Sequence, residues 1–360
     1  MLRRKDLICA IAGMALASAQ PAFVAASRVE DLPMPVRGYQ VYMVGELHGV
    51  GENAPFQVAY LERLAAGGLR DVAIEEDAVY EAAAQAFVDG DRAEAPVELC
   101  LRLGLLREIR ALNARLAPGR RIRVHLTDVG SPAEAICEHL RMLGARLRAG
   151  GVAIPAPAEL KERGAAAVAR LKALAVDDAD RAALRTVEYS IEAYRQGFEV
   201  GVGPSKGSPY LEAREAAVAA NIADVARSRG AVLVLYGSDH VSRKARRDGG
   251  PGRDQDFKPM ALRLDEAGLR VHGVITFPLK ASVRWRGRVT EMPWGPEDSR
   301  LASGPSFLDV LGESGTARYF FVDASARPRL ASQDISNMTV DAFVLFREGT
   351  PMENLCPGGR

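Results

Sequence analysis

The sequence predicts an α/β protein with a mainly parallel central sheet that is flanked by helices. Short apolar runs rich in Val, Ile, Leu and Tyr recur along the chain, as expected for strands that are buried on both faces of a parallel sheet. Amphipathic segments at helical spacing separate these runs. Glycine or proline ends several of the segments, and this alternation of strand and helix is typical of α/β folds.

The first strand-helix-strand unit lies near the N-terminus. Residues 41–44 predict a buried strand, which Gly45 ends. Residues 55–64 carry apolar side chains at helical spacing, and residues 72–74 predict the next strand. The unit has the length that a right-handed crossover between two parallel strands requires.

The same alternation continues along the chain. Residues 99–116 predict one long amphipathic helix, and residues 122–126 predict a strand. Residues 131–210 show only helical periodicity, which indicates a helical insertion. The remaining predicted elements are helices at 211–226 and 257–267 and strands at 231–236, 271–277, 319–322 and 342–346.

The first 26 residues have the pattern of an export signal. Basic residues 3–5 precede an apolar run at residues 7–16, and small residues follow. The apolar run is too short to span a bilayer comfortably. Cleavage before Gln20 and cleavage before Ser27 both fit, and an uncleaved anchor or a twin-arginine signal is the alternative. We therefore expect a periplasmic or secreted protein without a stable membrane span after cleavage.

Residues 27–360 predict a single α/β domain that includes the insertion at about 131–210. The chain has 47 Lys and Arg residues against 46 Asp and Glu residues, a net charge of +1. Nucleic-acid binding would need a basic excess or patch. We therefore expect a small-molecule partner and no nucleic acid.

Three cysteines, Cys100, Cys137 and Cys356, remain after removal of the signal. In an oxidising compartment this odd number allows at most one internal disulfide. A disulfide between Cys100 and Cys137 is one prediction. The alternative is that all three are small buried apolar residues.

Ionisable residues follow four of the predicted strands. The residues that follow these strands are Glu46 and His48 after the first, Glu75, Glu76 and Asp77 after the second, Asp128 after the third, and Asp239 and His240 after the strand at 231–236. Open parallel sheets bind their ligands at the carboxyl ends of the strands. We therefore expect these side chains to converge at one edge of the sheet.

Each of these side chains also has a structural interpretation. Glu46 or Asp128 would cap a following helix. Residues 75–77 would form an acidic helix N-terminus, and His48 or His240 would be an ordinary turn residue. The other histidines are interpreted as structural: His125, His139 and His272. A basic run is interpreted as a solvated loop: Arg243, Lys244, Arg246 and Arg247.

The order of these motifs resembles the erythromycin-esterase-like proteins and the related ChaN/Tiki group of haem-uptake proteins and proteases. The opening motif is Gly-Glu-Leu-His-Gly at 45–49, and Ile74-Glu75 follows it. Arg214-Glu215 and Asn221 then precede the strand that ends before His240. The spacing between Glu46 and His48 in the opening motif is more similar to that of the ChaN group than to that of the erythromycin esterases.

The resemblance implies an exported hydrolase that cleaves an ester, a lactone or an amide. His48 would be the general base that activates water, oriented by Glu46 or Glu75. His240 would stabilise the oxyanion or protonate the leaving group, and Arg214 would position a carboxylate or the substrate. The unperturbed pKa of an imidazole, about 6.5, suits these roles at neutral pH.

Two alternatives to metal-free hydrolysis remain at this point. In the first, zinc, manganese or iron is held by nitrogen and oxygen ligands. Its candidate ligands are Glu46, His48, Glu75, Asp128 and His240. In the second, the chain is a periplasmic ChaN-like protein that binds haem or a metal without turnover. If the protein has a cofactor, we therefore expect a divalent metal rather than haem.

Overall fold

The structure, a computed structural model, describes residues 23–129, 132–195, 209–247, 256–279, 281–285, 288–292, 315–324, 339–353 and 355–356. The strands are β1 (Phe23–Ala26), β2 (Val41–Glu46), β3 (Asp71–Asp77), β4 (Arg123–Asp128), β5 (Val232–Gly237), β6 (Arg246–Arg247), β7 (Asp256–Phe257), β8 (Val271–Pro278), β9 (Ala281–Trp285), β10 (Arg288–Met292), β11 (Tyr319–Asp323) and β12 (Ala342–Phe346). The α-helices are α1 (Asn53–Ala66), α2 (Glu81–Asp89), α3 (Leu103–Arg115), α4 (Ala133–Arg146), α5 (Leu160–Lys172), α6 (Asp178–Arg195), α7 (Pro209–Arg229) and α8 (Met260–Glu266).

Eight strands form the central sheet, in the order β1-β11-β12-β8-β2-β5-β3-β4. The neighbouring pairs from β12 to β4 are all parallel. The pairs that β11 forms with β12 and with β1 are antiparallel. The predicted α/β fold with a mainly parallel sheet is therefore confirmed.

The two faces of the sheet carry separate apolar cores because successive side chains of a strand point to opposite faces. Tyr42 and Val44 of β2 pack with residues of α1, α2 and α3. Val41 and Met43 pack with residues of α7 and α8. Burial on both faces explains why the central strands read as continuous apolar runs in the sequence.

The insertion forms a third core of its own. Leu140 of α4, Leu160 of α5 and Leu184 of α6 are buried against each other. In its described part, residues 132–195 and 209–210, the structure has helices and no strand, as predicted. Residues 130–131 and 196–208 of the predicted insertion lie outside the described residues.

The single helix predicted over residues 99–116 is wrong. A 3-10 helix at Val97–Arg102 precedes α3, and Leu99 has non-helical backbone angles, φ −90° and ψ 17°. The apolar periodicity continues across this break, because Leu99, Leu105 and Leu106 all face the same core. The apolar periodicity therefore gives no sign of the change from a 3-10 helix to an α-helix.

Most of the predicted export signal, residues 1–22, lies outside the described residues. Residues 23–26 form β1, which pairs with β11 from Phe23 opposite Val322 to Ala26 opposite Tyr319. Cleavage before Ser27 would remove this edge strand, whereas cleavage before Gln20 would keep it. Within the described ranges, no helix is long and apolar enough to cross a bilayer.

A disulfide joins Cys100 to Cys356, whose Cα atoms are 4.9 Å apart. Cys137 is a free, buried thiol. The predicted Cys100–Cys137 disulfide is wrong because Cys137 packs inside the core of the insertion. The interpretation of all three as unpaired apolar residues is wrong for Cys100 and Cys356.

Candidate active site

The carboxyl edge of the sheet brings the ionisable residues together. Glu46 is the last residue of β2 and lies opposite Gly237 at the end of β5. Asp128 ends β4, which neighbours β3. The register of β3 against β4 shifts between Ile74 and Asp77. Such an irregularity re-aims side chains, and it coincides with the positions of Glu75 and Glu76.

His48 is held by a buried carboxylate. Its Nδ1 donates to Glu46 Oε1 at 2.9 Å, and Gln57 Nε2 donates to Glu46 Oε2 at 2.6 Å. Arg102 also donates to Glu46 Oε1. The Glu46 side chain is 4% exposed, whereas the His48 side chain is 33% exposed. The contact between Nδ1 and Glu46 therefore fixes the orientation of the imidazole ring, while part of the ring stays accessible to solvent.

Glu75 lies between the two predicted catalytic imidazoles. Its Oε2 is 3.6 Å from His48 Nε2, and its Oε1 is 3.4 Å from His240 Nε2. The backbone N–H of Gly237 donates to Oε2 at 2.6 Å, and Arg214 Nη2 donates to Oε1 at 2.8 Å. One carboxylate therefore joins both histidines, which are 192 positions apart in the chain.

Gly237 leaves the space in which His48 and Glu75 come close to the end of β5. A Cβ at this position would lie 2.9 Å from His48 Nε2 and 3.5 Å from Glu75 Oε2. The first distance is too short for a carbon atom against a ring nitrogen. A side chain at position 237 would therefore displace His48, so the glycine is needed for space as the chain leaves β5.

His240 is held by a second buried carboxylate. Its Nδ1 donates to Glu215 Oε1 at 2.5 Å, and the backbone N–H of Met260 donates to Glu215 Oε2 at 2.5 Å. Arg214 donates through Nε and Nη2 to the two oxygens of Asp128, at 2.8 and 2.6 Å. Arg214 Nη1 also lies 3.3 Å from His240 Nε2.

These contacts define what we call the carboxylate–histidine network. Its members are Glu46, His48, Gln57, Glu75, Glu76, Arg102, Asp128, Arg214, Glu215 and His240. Five carboxylates face two guanidinium groups and two imidazoles. The charges balance most closely when both imidazoles are protonated.

The carboxylates at the centre of the network stay ionised. Burial would raise the pKa of Glu46, but Arg102 and His48 outweigh it and lower this pKa to about 2. Burial opposes ionisation of Glu75 as well, and His240, His48 and Arg214 hold the Glu75 pKa well below its usual range. Both carboxylates therefore carry full negative charge at neutral pH.

These negative charges act on the imidazoles. Burial lowers the pKa of His48, but Glu46 and Glu75 outweigh burial and Arg102, so this pKa is raised. Burial also lowers the pKa of His240, yet Glu215 and Glu75 raise it to about 10. Glu76 differs, because burial outweighs Arg102 and raises its pKa to about 7. The two histidines therefore have different proton affinities.

All predicted site residues lie in the network. They are Glu46, His48, Glu75, Asp128, Arg214 and His240. Their convergence is a finding of the structure, and their catalytic roles stay predictions. The helix-cap interpretation applies instead to Asp77, whose side chain accepts from the backbone N–H of Val79.

Arg102, Gln57 and Glu215 are network residues that the sequence analysis did not select. Arg102 ends the 3-10 helix at Val97–Arg102 and lies 3.5 Å from Glu76 and 3.8 Å from Glu75. No strand end or motif marked it. Glu215 directly follows Arg214 in the sequence, and the Arg214-Glu215 motif was the signal that could have found it. In the structure, Glu215 contacts His240.

The residues interpreted as structural lie outside the network. His125 Nε2 contacts Asp71 at 2.9 Å, and burial lowers the pKa of both His139 and His272 to about 4. The solvated-loop interpretation is wrong for Arg243, which donates to both oxygens of Asp341 at 2.6 and 2.7 Å. Arg243 therefore ties the loop after β5 to the start of β12.

The predicted metal ligands do not form a metal centre. Among the residues that the structure describes, no three His, Cys, Asp or Glu side chains are arranged to hold an ion. Arg214 donates to both oxygens of Asp128 and to Glu75. Arg102 donates to Glu46. Guanidinium groups therefore stand between the carboxylates where a cation would be expected.

Comparison with known proteins gives a result at the level of the fold. An erythromycin esterase, EreC, in its open conformation superposes with a TM-score of 0.64 and 14% identity, over 89% of this chain and 93% of that chain. The chain has the erythromycin-esterase fold. The fold predicted from the motif resemblance is therefore confirmed.

Two further solved structures share this fold. A Bacillus cereus protein superposes with a TM-score of 0.62 and 16% identity, over 89% of this chain and 91% of that chain. A succinoglycan biosynthesis protein superposes with a TM-score of 0.62 and 13% identity, over 88% of this chain and 89% of that chain. No protein-family description and no curated protein matches the sequence.

Proposed function

We propose that the protein is an exported hydrolase that uses His48 and His240 as an acid–base pair to cleave an ester, a lactone or an amide. The observation that carries the proposal is the position of Glu75, within 3.6 Å of one ring and 3.4 Å of the other. The fold shared with an erythromycin esterase supports the same reaction class.

His48 is the general base. Its Nδ1 donates to Glu46, and its Nε2, which lies 3.6 Å from Glu75 Oε2, removes a proton from water. The ionised Glu46 stabilises the imidazolium that forms, as a buried carboxylate does behind a catalytic histidine. The partial exposure of the ring gives water and substrate access to it.

His240 is the general acid. With a pKa of about 10 it is protonated at neutral pH. It transfers this proton to the oxygen or nitrogen that leaves the acyl carbon. The water oxygen bonds to the acyl carbon, and the bond from that carbon to the leaving oxygen or nitrogen breaks. His48 then gives its proton to solvent and His240 takes one up, so both histidines return to their starting protonation states. Arg214 holds Asp128 and Glu75 in position around His240.

Export is part of the proposal. Disulfides form and persist mainly in oxidising compartments such as the periplasm, and the Cys100–Cys356 disulfide fits such a location. The basic and apolar segments at residues 3–16 support the same conclusion. We therefore propose that the protein works in the periplasm or outside the cell.

The test is hydrolysis of chromogenic esters, lactones and amides by protein purified without a histidine tag and assayed with a chelator. We expect turnover by the wild type, and H48N to lower kcat/KM by about 100- to 10,000-fold, as for loss of a general base. H272N is the matched control, because His272 lies in β8 away from the network. Binding without turnover, or unchanged activity of H48N, would contradict the proposal.

A further inference from the structure

The C-terminal segment lies beside the loop that carries His48. The backbone N–H of Met352 donates to Gly49 O at 2.8 Å, and Gly49 directly follows His48 in the chain. The backbone N–H of Gly51 donates to Thr350 O, also at 2.8 Å. We call residues 350–353 and 355–356 the C-terminal strap.

Side chains add to the contact between the strap and this loop. Glu52 accepts from the backbone N–H and from the hydroxyl of Thr350, each at 2.8 Å. Arg284 of β9 donates through its backbone N–H to Gly49 O at 3.0 Å and through Nε to Met352 O at 2.8 Å. A Cβ at Gly49 would lie 2.0 Å from Arg284 O, so the packing is close. The strap and β9 therefore hold the loop together.

The far end of the strap is bonded to the helix that carries Arg102. Cys356 forms its disulfide with Cys100, which lies two residues before Arg102 in the 3-10 helix Val97–Arg102. Of the six residues of this helix, Leu99 is the buried one. Short 3-10 helices also have poorer hydrogen-bond geometry than α-helices. The disulfide is therefore the covalent anchor of a weakly held segment.

Arg102 connects this helix to the carboxylate–histidine network. It donates to Glu46 and lies 3.8 Å from Glu75 and 3.5 Å from Glu76. Glu46 in turn accepts from His48 Nδ1. The disulfide therefore joins the strap that contacts the His48 loop to the helix whose arginine holds Glu46.

We propose that the Cys100–Cys356 disulfide is a redox switch of the network: the protein is active with the bond intact and loses activity when a dithiol reduces it. Once the bond opens, the 3-10 helix loses its anchor and Arg102 withdraws from Glu46. The proposal rests on the hydrolase function proposed above. Because thiols stay reduced in the cytosol and disulfides form outside it, the switch keeps the chain inactive until export.

The chemistry of the switch is thiol–disulfide exchange. Cys100 is partly exposed and Cys356 is buried, so a reductant reaches the Cys100 sulfur first. A thiolate of the dithiol bonds to Cys100 Sγ, the bond between the two cysteine sulfurs breaks, and Cys356 leaves as a thiolate that takes up a proton. The second thiolate of the dithiol then attacks the mixed disulfide and releases Cys100. Two electrons pass to the cysteines, and the dithiol becomes a disulfide.

The activity of the full-length protein in its two redox states is the first test. Dithiothreitol should lower kcat/KM by about 10- to 100-fold, as displacement of a positioning residue does, and reoxidation should restore it. C100S should have the low activity in both conditions. C137S is the matched control, because Cys137 is a free thiol in the core of the insertion, and it should respond to dithiothreitol as the wild type does. Unchanged activity after the bond has been reduced would overturn the proposal.

A second test does not depend on turnover. NMR of protein with labelled histidines follows the pKa of His48. Burial and Arg102 lower this pKa, whereas Glu46 and Glu75 raise it, so withdrawal of Arg102 should raise it by about half a pH unit or more. R102Q should show the same rise, and dithiothreitol should add nothing further in that variant.

The two tests separate the switch from the hydrolase function. If the wild type cleaves no substrate but reduction raises the pKa of His48 as R102Q does, the redox coupling stands and the hydrolase function fails. A His48 pKa that reduction leaves unchanged, or that reduction moves equally in R102Q, would overturn the switch. The far-UV circular dichroism spectrum should persist on reduction, and its loss would overturn the switch as well, because the bond would then hold the whole fold.

Discussion

His48 and His240 carry the same imidazole group but lie in different surroundings. His48 is partly exposed and has Arg102 nearby, which opposes its protonation. His240 is buried between Glu215 and Glu75, which favour its protonation. The two imidazoles therefore have different proton affinities. In the proposed mechanism this difference makes His48 the base and His240 the acid.

The pH dependence of kcat/KM follows from these two pKa values. Activity requires His48 unprotonated, so it should rise with pH through a pKa above 6.5. Activity requires His240 protonated, so it should fall as the pH passes about 10. The predicted profile is a bell, measured with a substrate that is stable over this range. A profile that rises through pH 6.5 or below, or one without the alkaline limb, would contradict the assignment.

Arg102 is predicted to position Glu46 and to tune His48. R102Q removes a positive charge that opposes protonation of His48, so the acid limb of the kcat/KM profile should move to higher pH. R102K keeps the charge and should leave this limb close to that of the wild type. It should still lower kcat, because lysine lacks the fork that reaches both Glu46 and Glu76.

R115Q is the control for these variants. Arg115 lies at the other end of α3, where it pairs with Glu62 at the surface. Its substitution should alter neither kcat nor the pH profile. If R102Q lowered activity without moving the acid limb, Arg102 would have only a structural role.

The sequence predicted those site residues that directly follow buried strands. Glu46, His48 and His240 were accessible to this reasoning because strand ends share one edge of a parallel sheet. Arg102 was not, because its position depends on the break between a 3-10 helix and α3. Nothing in the apolar periodicity marks that break, since both segments face the same core.

At the scale of elements, the strongly patterned strands were predicted and the weakly patterned ones were not. The apolar runs of β2, β5 and β8 are buried along their whole length. In the described part of the chain, β9 and β10 form a separate two-stranded sheet. The strand β1 was hidden inside the predicted export signal, because both patterns consist of small and apolar residues.

The Cys100–Cys356 disulfide closes a loop of 256 residues between the 3-10 helix and the C-terminal segment. C356S is predicted to lower the free energy of unfolding by about 2–4 kcal/mol, chiefly because the unfolded chain gains freedom. Denaturant unfolding measures this loss. A reductant should destabilise the wild type by a similar amount and leave C356S unchanged. A wild type that is insensitive to the reductant would show that the bond does not stabilise the fold.

The pairing of β1 with β11 makes a prediction about export. Because residues 23–26 complete the edge of the sheet, the mature protein should keep them. Mass spectrometry of the exported protein should therefore find Gln20 at its N-terminus. A mature chain that begins at Ser27 would mean that β1 is not part of the functional fold.

At the scale of the whole molecule, the chain separates two environments within one fold. The carboxyl edge of the sheet gathers a nearly balanced set of acidic and basic groups in the carboxylate–histidine network. The insertion, which has its own core, lies beside β4, where its helices α4 and α6 line a cavity of about 1120 Å³. No residue of the carboxylate–histidine network, where we propose acid–base chemistry, lines that cavity.

In the proposed mechanism, His48 and His240 work as one unit across Glu75. A double-mutant cycle of H48N, H240N and the double variant, measured as kcat/KM on the best substrate of the panel, tests it most directly. We predict that each single variant loses most of the activity and that the double variant loses little more than the worse of the two. Additive losses, or a single variant that keeps wild-type activity, would contradict the account.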